Sequence, residues 1–314
     1  MTRYIIRRLL MLVPVLLGIS IITFSLAQLV PGDIVQIILG TKSTPQAKEA
    51  LNHYFGLDRP MYIQYFRWLG GVVRGDFGTS FRTGQPVFSE ILNRFSVTAE
   101  LAGLATLLAV AIGIPAGVIG AARQYSKLDH AVTIFALGGL AIPDFLLGTL
   151  LILLLALKAR VLPPSGYVPF TQDPAQNLKL MLMPALALGL GSASYITRMT
   201  RSSVLETLRQ DYVRTAYAKG LRSITVILRH ALKNGMIPIL TVLGIQTGYL
   251  LGGAVIIEVI FAMPGIGRYA IDSISFRDYP VLQGTVLFLT GIVVVINLVV
   301  DILYAYMDPR IHYQ

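Results

Sequence analysis

Apolar positions in this chain gather into six long runs separated by polar islands. The first run, Leu9 to Val30, follows three arginines, Arg3, Arg7 and Arg8. It exceeds a secretory h-region and matches a hydrocarbon core about 30 Å thick at the helical rise of about 1.5 Å per residue. It therefore reads as a retained first transmembrane helix. Further runs occupy about Val97 to Ala122, Ala131 to Leu157, Leu178 to Tyr195, Met236 to Ile260 and Val281 to Tyr306. Lipid cannot satisfy exposed backbone groups, so six such runs predict an all-α integral membrane bundle. Pro115, Pro143 and Pro184 inside the runs are expected to mark kinks or packing.

The polar islands are structured. Thr44-Pro45 combines an N-cap with proline at the first helical position, which predicts a helix to about Tyr54, stopped by Gly56. Pro60 opens a second helix with Met61, Tyr65, Leu69 and Val72 on one face. Gly75 to Gly78 forms a turn, and Val87 to Phe95 leads into the second span. Residues 31–96 thus form an extracytoplasmic helical segment after a first part, 1–30, and before a five-helix core, 97–314. Between the fourth and fifth spans lies the most basic stretch, 198–235, with eight Lys or Arg and only Glu206 and Asp211 acidic. Basic loops flanking apolar spans orient towards the cytoplasm. Six spans then place both termini there.

Composition narrows the function. Only 13% of the 314 residues are charged, against about 25% in soluble domains. The net charge of +10 would suit nucleic acid, but its position between spans is explained by membrane orientation, so no nucleic-acid partner is expected. There is no cysteine, and the four histidines (His53, His130, His230, His312) are dispersed, so no metal site is expected. The sequence holds no phosphate-loop motif, no His-Glu-x-x-His and no Gly-x-Ser-x-Gly. A chain that does no chemistry itself is the simplest reading. A stand-alone secondary transporter or channel is the alternative, and it would need ionisable residues near the bilayer midplane. The polar residues noted within spans are Glu100, Gln246, Asn297 and Asp301, candidates for a translocation pathway.

Inside the basic stretch, Asp211 to Gly220 has the pattern of a short helix. Tyr212, Val213, Ala216 and Tyr217 fall on one face, Asp211 suits the N-terminus, Lys219 the C-terminus, and Gly220 a left-handed cap. The small Ala216 is expected to let a partner approach closely. A helix this short is marginal alone, so it must dock, either into a protein cleft or onto headgroups.

Ala216 with Gly220 four residues on resembles the E-A-A-x-x-x-G loop of ABC-importer permeases. Arg214 and Thr215 stand where that motif has Glu and its first Ala. The wider set resembles the dipeptide/oligopeptide/nickel permease branch along essentially the whole chain. It comprises Gly56-Leu-Asp-Arg-Pro60, Gly75-Asp-Phe-Gly78, Asp211 to Gly220, Leu228 to Asn234, Phe261 to Arg268, Arg277-Asp-Tyr-Pro280 and Asp308-Pro-Arg310. The resemblance implies a type I importer fold of six transmembrane helices with the extracytoplasmic insertion after the first span. It implies one of two homologous permease subunits in the bilayer, two ABC ATPase subunits that bind ATP and Mg, and an extracytoplasmic substrate-binding protein. No cofactor is implied in this chain. Asp211, Tyr212, Arg214, Thr215, Ala216, Ala218, Lys219 and Gly220 would form the ATPase-coupling helix, and Arg59, Arg268 and Arg277 would face the binding protein.

Overall fold

The computed structural model describes residues 2–29, 39, 44–56 and 58–307. Leu57, the Asp308-Pro-Arg310 motif, His312 and the Asp301 side chain lie outside the described residues, as does the start of the extracytoplasmic segment, 31–38. The helices are α1 (Thr2–Leu29), α2 (Pro45–Phe55), α3 (Met61–Val73), α4 (Val87–Ala122), α5 (Lys127–Ala141) and α6 (Asp144–Leu151). There follow α7 (Pro174–Leu208), α8 (Asp211–Ala218), α9 (Lys233–Ile260), α10 (Ile266–Ser275) and α11 (Tyr279–Met307). Two π-helical turns, Ile152–Lys158 and Val226–Leu232, extend α6 and lead into α9. The only strand pairing among the described residues is an isolated bridge between Thr79 and Pro86. Among the described residues, five helices are long and apolar enough to cross a bilayer, or six when α5 and α6 count as one broken span.

Compact packing divides the chain into two units, 1–5 with 97–264 and 295–314, and 6–96 with 265–294. In the first unit α7 is the central element. Its buried residues run from Asn177 through Leu188 and Ile196 to Thr207, so nearly every turn is covered. Such all-round burial needs small side chains where helices meet, because between membrane helices packing replaces the hydrophobic drive. A Cβ on Gly113 of α4 would stand 2.8 Å from the Ala193 carbonyl, and one on Gly117 would stand 2.7 Å from the Thr197 carbonyl. Leu101, Met181, Met183, Leu188, Leu250, Ile257 and Phe261 form the main apolar core. The methionines thus fill the bundle, as their flexible thioethers allow.

In the second unit Val87, Ile91, Ile266 and Val281 form a buried cluster, with Phe95 edge-on to Phe288 at 5.2 Å. Two separate sequence motifs meet here. The Asp278 carboxylate accepts hydrogen bonds from Ser80 Oγ at 2.5 Å, from the Phe81 amide at 3.2 Å and from the Arg82 amide at 3.4 Å. The Arg82 guanidinium lies 3.7 Å from the Phe276 ring centroid, a cation–π contact. The turn after Gly78 is therefore clipped to the 277–280 segment. The Thr44 hydroxyl caps α2 by accepting from the Ala47 amide at 3.2 Å, and Gly56 ends it at φ 68°.

Several boundaries differ from the expectation. Val87–Ala122 is one helix, so the amphipathic lead-in and the second span are continuous. The fourth span is also longer than its apolar run: α7 continues past Tyr195 to Leu208 and takes in the start of the basic stretch. The reason is that Ser203, Val204 and Thr207 bury one polar-looking face against their neighbours. The third span is not straight. It breaks at Ile142-Pro143 with a bend of 100°. Proline lacks the N–H that would reach the Gly139 carbonyl and its ring clashes with the preceding turn. Pro115 and Pro184, by contrast, sit within continuous helices. The loop after Phe261 contains α10, whose buried face is Ile266, Gly267 and Ser273.

Candidate functional site

Helix α8 is delivered by its two long neighbours. Residues Arg209 and Gln210 turn the chain out of α7, with the Gln210 amide bonded to the Thr207 carbonyl at 3.1 Å. After α8, the Val226–Leu232 turn leads back into α9. The Ser203 hydroxyl of α7 donates to the Gly235 carbonyl at the start of α9, at 2.8 Å, so the two supports are tied together. A second tie holds α7 to α5. Arg201 donates through Nε to Asp129 Oδ1 at 2.5 Å and through Nη2 to Oδ2 at 2.8 Å. Such a bidentate pair fixes orientation as well as distance. The Asp129 carboxylate, 4% exposed, also accepts from the Tyr125 amide at 2.9 Å.

Within α8 the Gln210 carbonyl receives the Val213 amide at 3.0 Å, and Thr215 Oγ1 donates to the Asp211 carbonyl at 3.0 Å. Gly220 closes the helix at φ 76°, donating its amide to the Tyr217 carbonyl at 2.9 Å. A left-handed residue here favours glycine because a Cβ would press on the following carbonyl. The helix seats itself through Val213 and Ala216, which are buried with Val226 and packed against Leu208. This corrects one expectation. Ala216 does not offer its small face to a partner; that face is covered by the chain itself. Nor do the two tyrosines share its environment. Tyr212 and Tyr217 flank the buried pair, each 43% exposed. Tyr212 Oη accepts from Asn234 Nδ2 at 2.9 Å, which pins that flank to α9.

What α8 presents outward is mixed. Asp211, Arg214, Thr215, Ala218, Lys219 and Gly220 are exposed. Arg214 and Asp211 approach to 3.6 Å, but both side chains are open to solvent, so the pair contributes little to stability. Beside them Tyr217, Leu221, Ile224 and Leu228 leave apolar surface uncovered, with Ile224 at 59% exposure. This amphipathic helix is thus seated on one face and leaves apolar groups and cations open on the other. Sequence reading missed Leu221 and Ile224. Their signal was an apolar residue every three or four positions beyond the Gly220 cap.

The other candidate residues fall apart into separate places. Glu100 accepts from Tyr167 Oη at 2.8 Å and from Asn177 Nδ2 at 2.7 Å. Its carboxylate thus holds the 159–173 loop to α4 and α7. Burial, then the bond to Glu100 and its charge, push the Tyr167 phenol up to about 12. Gln246 is half-buried in α9, Asn297 is exposed on α11, and neither hydrogen-bonds to Glu100. Arg59 lies at the turn between α2 and α3, Arg268 in α10 and Arg277 just after it, where φ is 55°. Two intramembrane carboxylates were overlooked, Asp144 and Glu258. Glu258 is fully buried and accepts from Thr98 Oγ1 at 2.5 Å. Among the described residues no cluster of three metal-ligating side chains occurs.

Residues 113–313 match the family described as binding-protein-dependent transport system inner membrane component, and residues 1–102 match its N-terminal family. The chain is similar to the dipeptide transport system permease protein DppB of Alkalihalophilus pseudofirmus, at 43% identity with both chains covered in full. It is 40% identical to DppB of Escherichia coli and to the oligopeptide transport system permease protein AppB of Bacillus subtilis, again over the whole of each chain. Among solved structures, an inward-facing form of the MetNI methionine ABC transporter superposes with a TM-score of 0.58 at 16% identity, covering 69% of this chain and 96% of that one. A second crystal form gives 0.57 at 18% identity, covering 70% and 96%. At that identity the likeness shows a shared fold. With the family matched over most of its length, this chain belongs to the binding-protein-dependent transport system inner membrane components, the permease subunits of ABC transporters.

Proposed function

We propose that the chain carries di- or oligopeptides, or solutes of similar size, inward across the cytoplasmic membrane. The observation that carries this reading is that relatives matched from end to end are named dipeptide and oligopeptide permeases. The chain works beside a second, homologous permease subunit. Two ATPase subunits hold ATP and Mg and do the hydrolysis; this chain catalyses nothing. A binding protein outside the membrane delivers the solute to the surface bearing Arg59, Arg268 and Arg277. Both termini and the 198–235 stretch lie in the cytoplasm.

Helix α8 is the coupling element in this reading. Its outward surface, from Asp211 and Arg214 to Tyr217, Lys219 and Ile224, enters a cleft of one ATPase. When the ATPases close on nucleotide they carry α8 with them. Because Val213 and Ala216 seat α8 on Leu208 and Val226, and Ser203 and Arg201 tie α7 to α9 and α5, the displacement passes to the bundle as a rigid-body movement. Nucleotide shifts the bundle only so far as it favours one state over the other.

The test is reconstitution of the full complex with its binding protein in proteoliposomes. ATP-dependent accumulation of a labelled dipeptide is expected, with none when the ATPase subunits are omitted. Uptake that persists without them would instead favour a secondary transporter.

A further inference from the structure

The break between α5 and α6 puts a carboxylate where lipid would penalise it. Asp144 opens α6, about midway between Lys127 and Lys158 at the ends of the third span. An ionisable side chain at that depth faces the bundle interior or a watery path and needs a polar counterpart. The other carboxylates nearby are supplied: Asp129 has Arg201, Glu100 has Tyr167 and Asn177, Glu258 has Thr98. For Asp144 the polar counterpart is the Tyr249 hydroxyl, and Asp144 forms no ion pair among the described residues.

The surroundings are rich in oxygen atoms. A Cβ on Gly191 would lie 3.3 Å from Asp144 Oδ1 and 3.8 Å from the Gly139 carbonyl oxygen, so these two oxygens flank one spot. The Gly139 carbonyl is at the C-terminal end of α5, the negative end of a helix, and Pro143 has no N–H to give it. One turn along α7 from Gly191, Ser194 Oγ presses on Gly139; it is wholly buried and has no hydrogen-bond partner among the described residues. On the other side, a Cβ on Gly253 would lie 3.8 Å from Asp144 Oδ2 and 4.0 Å from the Tyr249 ring. Tyr249 belongs to an uncovered stripe of α9 with Ile245, Ile256 and Val259. A carboxylate, a helix-end carbonyl and a phenol thus lie together beside an open surface, with the buried Ser194 packed behind Gly139. Each of them carries an oxygen that can accept a hydrogen bond.

We propose that Asp144, with the Gly139 carbonyl and Tyr249, forms a cation station at the helix break that receives the protonated amino group of the solute in transit. This rests on the proposed peptide transport and adds a specificity-determining residue to it. An ammonium offers three donors, which suits the Asp144 carboxylate, the Gly139 carbonyl and the Tyr249 hydroxyl. Glycines at 139, 191 and 253 let these elements approach closely: a Cβ would press on Ser194 Oγ at 139, stand 3.3 Å from Asp144 Oδ1 at 191 and 3.2 Å from Leu188 at 253.

The test uses the reconstituted complex with L-alanyl-L-alanine as the probe. In Asp144→Asn, dipeptide taken up per ATP hydrolysed should fall about tenfold, the size of one charge-assisted hydrogen bond lost, with assembly in normal yield. Asp144→Glu keeps the charge and should restore most of it. Replacing sodium chloride with choline chloride should change nothing. The proposal is overturned by unaltered uptake per ATP in Asp144→Asn, by uptake and hydrolysis falling in proportion, or by Asp144→Glu failing as badly. Loss of uptake in choline would also overturn it, since the station would then serve an inorganic cation. If the unsubstituted complex shows no ATP-driven dipeptide uptake, the proposed function itself fails and this inference with it; if it transports and only the Asp144 results disagree, the proposed function stands.

Discussion

Helices α7 and α8 follow one another in the chain and are built on opposite plans. Helix α7 is covered on nearly every side and meets its neighbours through glycine, alanine, serine and threonine. Helix α8 buries two residues, Val213 and Ala216, and leaves the rest to solvent. On the proposed coupling role, a shaft that transmits force is packed all round, and a head that is gripped keeps most of its surface uncommitted. The difference teaches where a substitution should destroy the structure and where it should only release a partner.

The largest effect on stability is expected in the shaft. Asp129→Ala leaves the Arg201 guanidinium part-buried without its carboxylate, a loss of about 3 kcal/mol. Thermal unfolding of the detergent-solubilised complex should drop clearly, and assembled yield with it. Next comes the seat of the head. Ala216→Arg forces a long charged side chain among Val213, Val226 and Leu208, at about 2–3 kcal/mol of overpacking. Transport should be lost, together with a lower melting temperature. A defect in ATPase binding at unchanged stability would show that Ala216 faces the partner after all. Gly220→Val should cost about 1–2 kcal/mol, because a β-branched residue resists φ of 76°. Gly220→Asn should recover most of that in the same melting measurement. The smallest change in stability is expected from Ile224→Ser, near zero, since the side chain touches little of its own chain. Yet co-purification of the ATPase subunits should weaken by about tenfold, consistent with removing one apolar anchor. Equal co-purification would mean that the head is gripped elsewhere.

How much of this could be read from the residues differs by element. The apolar runs announced the spans because length and hydropathy alone decide whether a helix can cross lipid. Thr44-Pro45, Gly56 and Gly220 announced helix ends because capping is local chemistry. The burial of Ala216 was not legible. Periodicity says that Val213 and Ala216 share a face, but only the fold says that Leu208 and Val226 cover it. Pro143 was visible as a breaker, whereas a bend of 100° is set by how α5 and α6 each pack on α7. Asp144 was passed over because a single carboxylate hardly disturbs a long apolar run. Its depth within the span, directly after a proline, was the signal. Glu100 stood out in sequence for its charge, and the fold accounts for it through Tyr167 and Asn177.

The most direct test of the coupling account uses the absence of cysteine from the chain. A single Ile224→Cys substitution places one thiol on the outward surface of α8, and Arg59→Cys serves as a control far from it in sequence. Maleimide labelling is then compared in membranes with and without the ATPase subunits. The account predicts that the thiol at 224 reacts freely in the chain alone and is protected once the ATPases assemble, with the thiol at 59 indifferent to them. Labelling at 224 that is equally fast in both membranes would contradict it.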